Sequence, residues 1–197
     1  MREQISCPVD PGHARIGRFF TAPDVTVPCA PPTDLLHTWC LEWLVQERLL
    51  DAMQRADLTG FWTTPARAAM KETGEPIAVS QLRISGWGGV APPESGIRMD
   101  ESCPGCGWTH WTDLRDPAGL IEPRNWDGSD FFIIWPLPRF ILVSRKAYSL
   151  FRENGFTGAK FTKTFPDTTG GGFSPQRLSH SMPEQRAHEI GDSLGIF

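Results

Sequence analysis

Residues 101–111 read ESCPGCGWTHW. Cys103 and Cys106 are separated by two residues, with Gly105 ahead of the second cysteine and Gly107 behind it, the C-x2-C spacing that supplies two ligands of a tetrahedral zinc ion. A tight Gly-rich turn suits that task because its free amides also point at the thiolates. One pair is half a site. At the other end of the chain, Cys7-Pro8-Val9-Asp10 has the same form with aspartate in place of the second cysteine. Completion can come from Cys7, Asp10 and His13 of this first knuckle, from His110 beyond the second, or from Cys29 and Cys40. Imidazole suits a thiolate-rich zinc site better than a carboxylate does. The expected set is therefore Cys7, His13, Cys103 and Cys106, a structural zinc site with no open position. The competing reading of Asp10 is a site that has lost its metal and kept the turn. Cys29, in VPCAPP, and Cys40, ahead of the first helix, read as ordinary thiols.

Other chemistry finds little footing. A thioredoxin-like use of CPGC needs its first thiolate at a helix N-terminus, whereas Gly105, Gly107 and the β-prone WTHWT describe a knuckle and a strand. A zinc deaminase needs His-x-Glu ahead of its Cys pair, and none of the five histidines begins that pattern. HExxH and P-loop motifs are absent from the sequence. Cys40 and His37 read as neighbours on one segment rather than a nucleophile and its base. The expectation is a protein that is not an enzyme. With 19 Lys and Arg against 23 Asp and Glu, the net charge is −4, so no basic field collects phosphates and nucleic acid is not an expected partner. The start, MREQISCPVD, lacks the apolar stretch of a secretory signal, and no run approaches the roughly 18 apolar residues of a membrane span. These features, and an odd count of five cysteines, predict a cytoplasmic chain with thiols or metal ligation in place of a disulfide framework.

The elements that must position the cysteines repeat. Trp43 to Phe61 (WLVQERLLDAMQRADLTGF) aligns without a gap on Ile141 to Ala159 (ILVSRKAYSLFRENGFTGA), 98 residues on. Leu-Val and Thr-Gly coincide, and Leu49, Leu50, Met53 and Leu58 match Ala147, Tyr148, Phe151 and Phe156. Each copy predicts a strand end, a short amphipathic helix and a Thr-Gly exit into another strand. Chance likeness between two helices with the same exit is the competing explanation. With the two Cys-Pro knuckles, each half runs in one order: knuckle, irregular stretch, helix, Thr-Gly exit, strand. The expected fold is α+β, one domain over 1–173 made of two related halves (about 1–75 and 76–173), with helices packed on antiparallel strands. Residues 174–197 read as a tail that packs weakly or caps an edge, with a short helix opened by a capping box at Ser181-Met-Pro-Glu184.

Within that frame PIAVSQLRIS (76–85) alternates as a half-buried strand with a slip in its middle, and FFIIW (131–135) is the best candidate for a central strand. GWGGVAPPESG (86–96) reads as a loop and DTTGGG (167–172) as a mobile one. Of eight tryptophans, Trp39, Trp43, Trp62 and Trp135 are expected in the core. Trp87 and Trp126, beside glycine and aspartate, are expected at loop apices and are the candidate anchors for a protein partner, with Asp130 in the acidic cluster that would face it; simple packing of the loops is the competing reading. Asp127 itself reads as an Asx-type turn.

The Cys-Pro knuckle, the second C-x2-C-G at Cys103 to Gly107, NWDGSDFF (125–132) and ILVSRKAYSLFRENGFTGAKF resemble the double-CXXCG motif proteins of myxobacteria, a paralogous group assigned to immunity against toxins delivered between cells. The likeness spans about 3–161 and is best over 101–161. Asp10 departs from the pattern. The resemblance implies a cytosolic immunity protein that binds and neutralises a toxin stoichiometrically, with no catalytic residues to transfer. A zinc-ribbon-type regulatory or scaffold subunit of a larger complex is the alternative.

Overall fold

A computed structural model of the chain describes residues 2–28, 33–38, 42–162 and 172–196. Cys29, Cys40, Trp39 and most of DTTGGG lie outside the described residues. The chain opens with β1 (Arg2–Ile5) paired antiparallel with β2 (Arg15–Phe19), and the first knuckle lies between them. Then come β3 (Asp24–Val27), β4 (Leu35–His37) and β5 (Trp43–Gln46), which runs directly into helix α1 (Glu47–Arg55). Past Thr59-Gly60 follow β6 (Phe61–Pro65), β7 (Arg67–Met70), β8 (Pro76–Ile77), β9 (Val79–Ile84) and β10 (Gly86–Val90). The second half restates the scheme as far as its Thr-Gly exit, beyond which the described residues 159–162 form no strand. An antiparallel hairpin of β11 (Met99–Ser102) and β12 (Thr109–Trp111) flanks the second knuckle, and β13 (Phe131–Trp135) and β14 (Leu142–Val143) lead to α2 (Arg145–Glu153). The two helices begin and end at the same offset as the sequence repeat. Two helices, α3 (Leu178–Ser181) and α4 (Glu184–Leu194), complete the chain.

The local chemistry accounts for the helices. In α1 the buried Leu49, Ala52 and Met53 form one stripe, while Glu47 in the first turn and Arg55 in the last complement the helix dipole. α2 starts where the Ser144 hydroxyl accepts the Ala147 N–H, and it buries Ala147 and Phe151. Among the described residues the fold is α+β. One sheet, of order β4-β5-β9-β6, is antiparallel throughout, whereas β10 pairs parallel to β13 and β3 parallel to β7. All five residues of β13 are buried, and the strand lies between β10 and β14. Its period-2 alternation divides the core: Phe131, Ile133 and Trp135 join the main cluster, and Phe132 and Ile134 face a smaller one with Ile97, Leu120 and Leu137. The strand expected over 76–85 is interrupted at Ala78, between β8 and β9, and not in its middle: β9 pairs through Val79–Leu82 without a shift of register.

Several expectations need correction. Gly86–Val90 is a strand, not a loop: a Cβ at Gly88 would press on the Phe132 and Ile134 side chains, so the missing side chain is what lets this strand lie against β13. Trp62 is 59% exposed rather than core. The C-terminal segment is not weakly packed, since Leu178, Met182, Ala187 and Ile190 are buried in the main cluster. Ser181 ends α3 instead of capping α4, whose N-cap is Pro183 with no side-chain hydrogen bond.

Candidate metal centre

Two hairpins from opposite halves bring their turns to one place. The ligand atoms of Cys7, His13, Cys103 and Cys106 all lie within 4.8 Å of one another. Cys7 Sγ is 3.6 Å from Cys103 Sγ. A disulfide would hold the sulfurs about 2.05 Å apart, whereas two thiolates on one tetrahedral zinc, each at about 2.3 Å, are separated by roughly 3.8 Å. The observed spacing suits a shared ion, and the three thiols carry no disulfide. Cys7 and Cys103 are buried and Cys106 and His13 half-buried, so the donors are shielded yet within reach of an entering ion.

The turns are built to hold thiolates. In the first knuckle the backbone N–H groups of Val9 and Asp10 both donate to Cys7 Sγ at 3.3 Å. Burial pushes the Cys7 thiol up, but these two amides, with Cys106 and His13, outweigh it and bring its pKa down to about 6. In the second, the Gly107 N–H donates to the Cys103 carbonyl and the Cys103 N–H to the Trp108 carbonyl, each at 2.8 Å. Burial raises the Cys106 thiol, with the neighbouring cysteines adding to the rise. The nearby Cys103 is the largest influence on His13 and raises its pKa against the effect of burial. Three sulfurs and one imidazole in such a cluster form the donor set of a metal ion.

Two neighbours were not legible as site residues. Arg15 is buried, and its Nη2 donates to the Cys106 carbonyl at 2.9 Å, which ties the second knuckle to β2 and places a positive charge beside the thiols. Trp108 stacks on the His13 ring, with centroids 4.1 Å apart and planes inclined by 6°. Trp108 directly follows the C-x2-C-G, but nothing in that adjacency says which ring it faces. His110 pairs with Asp100 at 2.8 Å and is not one of the four convergent donors.

The residues expected at a partner surface sit differently. Asp130 is buried; its carboxylate accepts the Thr59 N–H at 3.0 Å, the Thr59 hydroxyl at 3.3 Å and the Ser144 hydroxyl at 2.5 Å. It is a clasp within the fold. Trp126 is half-buried, donates through Nε1 to the Ser129 carbonyl at 3.1 Å, and lies 5.3 Å from Phe132. Trp87 belongs to β10 and packs against the main core. Asp127 makes the Asx-type turn, accepting from the Ser129 N–H and hydroxyl.

No protein-family model matches the chain, and no curated protein does either. Among the described residues no helix is long and apolar enough to cross a membrane.

Proposed function

We propose that the protein is a zinc-stapled binding protein of the toxin-immunity type, which holds a toxin inactive in the cytoplasm by stoichiometric association. The observation that carries the metal half of this reading is the convergence of Cys7, His13, Cys103 and Cys106 from two knuckles of opposite halves. Zinc is the ion of choice for three thiolates and an imidazole, and four protein donors leave no position for a substrate. Its work is then mechanical: it fixes one half on the other and stiffens the surface that the partner meets. The binding half of the reading is supported by the resemblance to the double-CXXCG proteins and by the setting of the GxSxG match Gly191–Gly195, which closes helix α4 with the Ser193 hydroxyl donating to the Ile190 carbonyl instead of standing on a strand-to-helix turn as a nucleophile does.

Purified protein should contain one zinc per chain, and co-expression with the product of a neighbouring gene should rescue cells from that product and co-purify the pair. Metal-free native protein sinks the zinc assignment. A neighbour that is harmless, or toxic but neither bound nor neutralised, sinks the immunity assignment and leaves the scaffold reading.

A further inference from the structure

Asp10 stands where a second C-x2-C thiolate would be, and its side chain is turned to another use. Its Oδ1 accepts the Gly12 N–H at 2.8 Å and its carbonyl accepts the His13 N–H at 3.1 Å, which folds residues 10–13 into a tight turn. That turn carries the imidazole back over its own carboxylate: Asp10 Oδ2 lies 3.4 Å from His13 Nε2. The other nitrogen, Nδ1, is buried and makes no hydrogen bond of ordinary geometry. A neutral imidazole carries its proton on one nitrogen and a lone pair on the other, and the partner of the protonated nitrogen decides which is which. A carboxylate at Nε2 favours the proton there and leaves the lone pair on Nδ1. A buried lone pair without a donor is unfavourable unless it is used, and the nearby thiols supply the setting for its use as a ligand.

We propose that Asp10 is the positioning residue of the metal centre: it holds the His13 ring through Nε2 and so presents Nδ1 to the ion. The inference rests on the zinc reading above and adds to it a choice of nitrogen and a reason for the aspartate. Asp10 itself is not among the convergent donors, and its side chain remains 53% exposed. Trp108 complements it from the opposite knuckle, because an indole stacked face to face on the imidazole fixes the plane in which that lone pair lies. The loss of a thiolate from the first knuckle is on this account an exchange. One turn supplies Cys7 and a clamped histidine in place of two cysteines.

Asp10→Asn is the discriminating substitution, since asparagine keeps an oxygen for the Gly12 N–H but sets an NH2 group against Nε2 in place of an acceptor. Zinc affinity is measured by competition with a chelating dye, and the His13 ring is read by long-range proton–nitrogen-15 correlation in the zinc-loaded protein. In the unmodified protein the proton is expected on Nε2 and the ion on Nδ1. Asp10→Asn is expected to bind zinc about tenfold more weakly, the lower end of what loss of a ligand's hydrogen-bonding partner produces. Ligation through Nε2, or unchanged affinity in Asp10→Asn, overturns the role of Asp10 alone. Unmodified protein that binds no zinc, or Cys103→Ser and His13→Ala variants that bind it undiminished, overturns the metal reading and this inference with it.

Discussion

The Asp34 carboxylate accepts both the backbone N–H and the hydroxyl of Thr157, each at 2.9 Å, across 123 residues of chain. Asp130 does the same to Thr59, at 3.0 and 3.3 Å. The backbones follow suit: Leu35 N–H donates to the Thr157 carbonyl at 3.1 Å and Phe131 N–H to the Thr59 carbonyl at 3.0 Å. The aspartate ahead of β4 thus clasps the Thr-Gly exit of the second half, and the aspartate ahead of β13 clasps that of the first. This exchange relates the halves as an approximate two-fold would, and the same relation brings the two knuckles together. The copies have diverged in what else holds the carboxylate. Arg48 grips Asp34 at 2.9 and 3.0 Å, and Ser144 serves Asp130.

The glycines of the two exits should be equally intolerant of a side chain. Gly158 has φ 92° and Gly60 φ 85°, and a Cβ would overlap the carbonyl oxygen of Leu35 in the first case and Phe131 in the second. Alanine at either position is expected to destabilise by about 3 kcal/mol or more, strain and overlap acting together. Gly155, at φ 63° with open space around it, should lose only about 1 kcal/mol, the left-handed strain alone. Urea unfolding of the three variants gives the comparison, and equal losses at Gly155 and Gly158 would show that the close approach is absent.

Acid should weaken the protein through His180. Burial is the main cause of its depressed pKa of about 4, and the charges of Arg83 and Arg2 lower it further against the pull of the Gly17 carbonyl. Above the unfolded value of about 6.5 both states are neutral and nothing is lost. As pH falls from there towards 4, the unfolded imidazole takes a proton that the native one refuses, so stability declines by up to about 1.4 kcal/mol per pH unit, and the decline ends below the folded pKa. His180→Gln removes this contribution while leaving any acid release of metal in place. Stability measured from pH 7 to 4 should fall more steeply in the unmodified protein, and parallel curves would contradict the assignment.

What the sequence disclosed was the part written in local pattern. The helices are legible because Leu49, Met53 and their counterparts recur at helical spacing, FFIIW because it is apolar throughout, and the pairing of the knuckles because the repeat implied a relation between halves. What it hid depends on contacts between distant residues. GWGGV looks like a loop because glycine usually marks one, yet here the glycines admit a strand against Phe132. Asp130 looks like surface charge because nothing local announces Thr59 and Ser144. Arg15 and Trp108 join the metal centre from a strand and a turn whose approach only the folded chain defines. The C-terminal helices, short and polar by sequence, carry three buried apolar residues, with Met182 buried between them, too few to raise a periodic signal.

The tryptophans separate by what they touch. Trp126 gives its Nε1 to the Ser129 carbonyl and leans on Phe132, so Trp126→Ala should lower stability by about 2–3 kcal/mol. Trp62, largely exposed on the edge strand β6, should tolerate alanine within about 0.5–1 kcal/mol. Thermal unfolding of both variants decides, and a reversed order would mean that Trp126 is the freer of the two.

Metal removal should be the most damaging change of all, because Cys7 and Cys103 are separated by 96 residues and meet at the one point where both hairpin turns converge. A structural zinc can contribute on the order of 10 kcal/mol, comparable to the entire stability of a domain. Even a fraction of that matters: in a chain of this size each 1 kcal/mol moves the midpoint by about 2–4 °C. Treating the protein with a strong chelator is therefore expected to lower Tm by roughly 10 °C or more, and added zinc should restore it. Cys103→Ser should lower Tm in the absence of chelator. Since Cys103 is buried, that fall alone could reflect lost packing, so the informative quantity is the further effect of chelator on the variant. Where the ion is the cause, the chelator takes little more from Cys103→Ser than it has already lost. A chelator that leaves the unmodified protein untouched, or one that lowers both proteins equally, would place the stability of the fold elsewhere than in the union of the two knuckles.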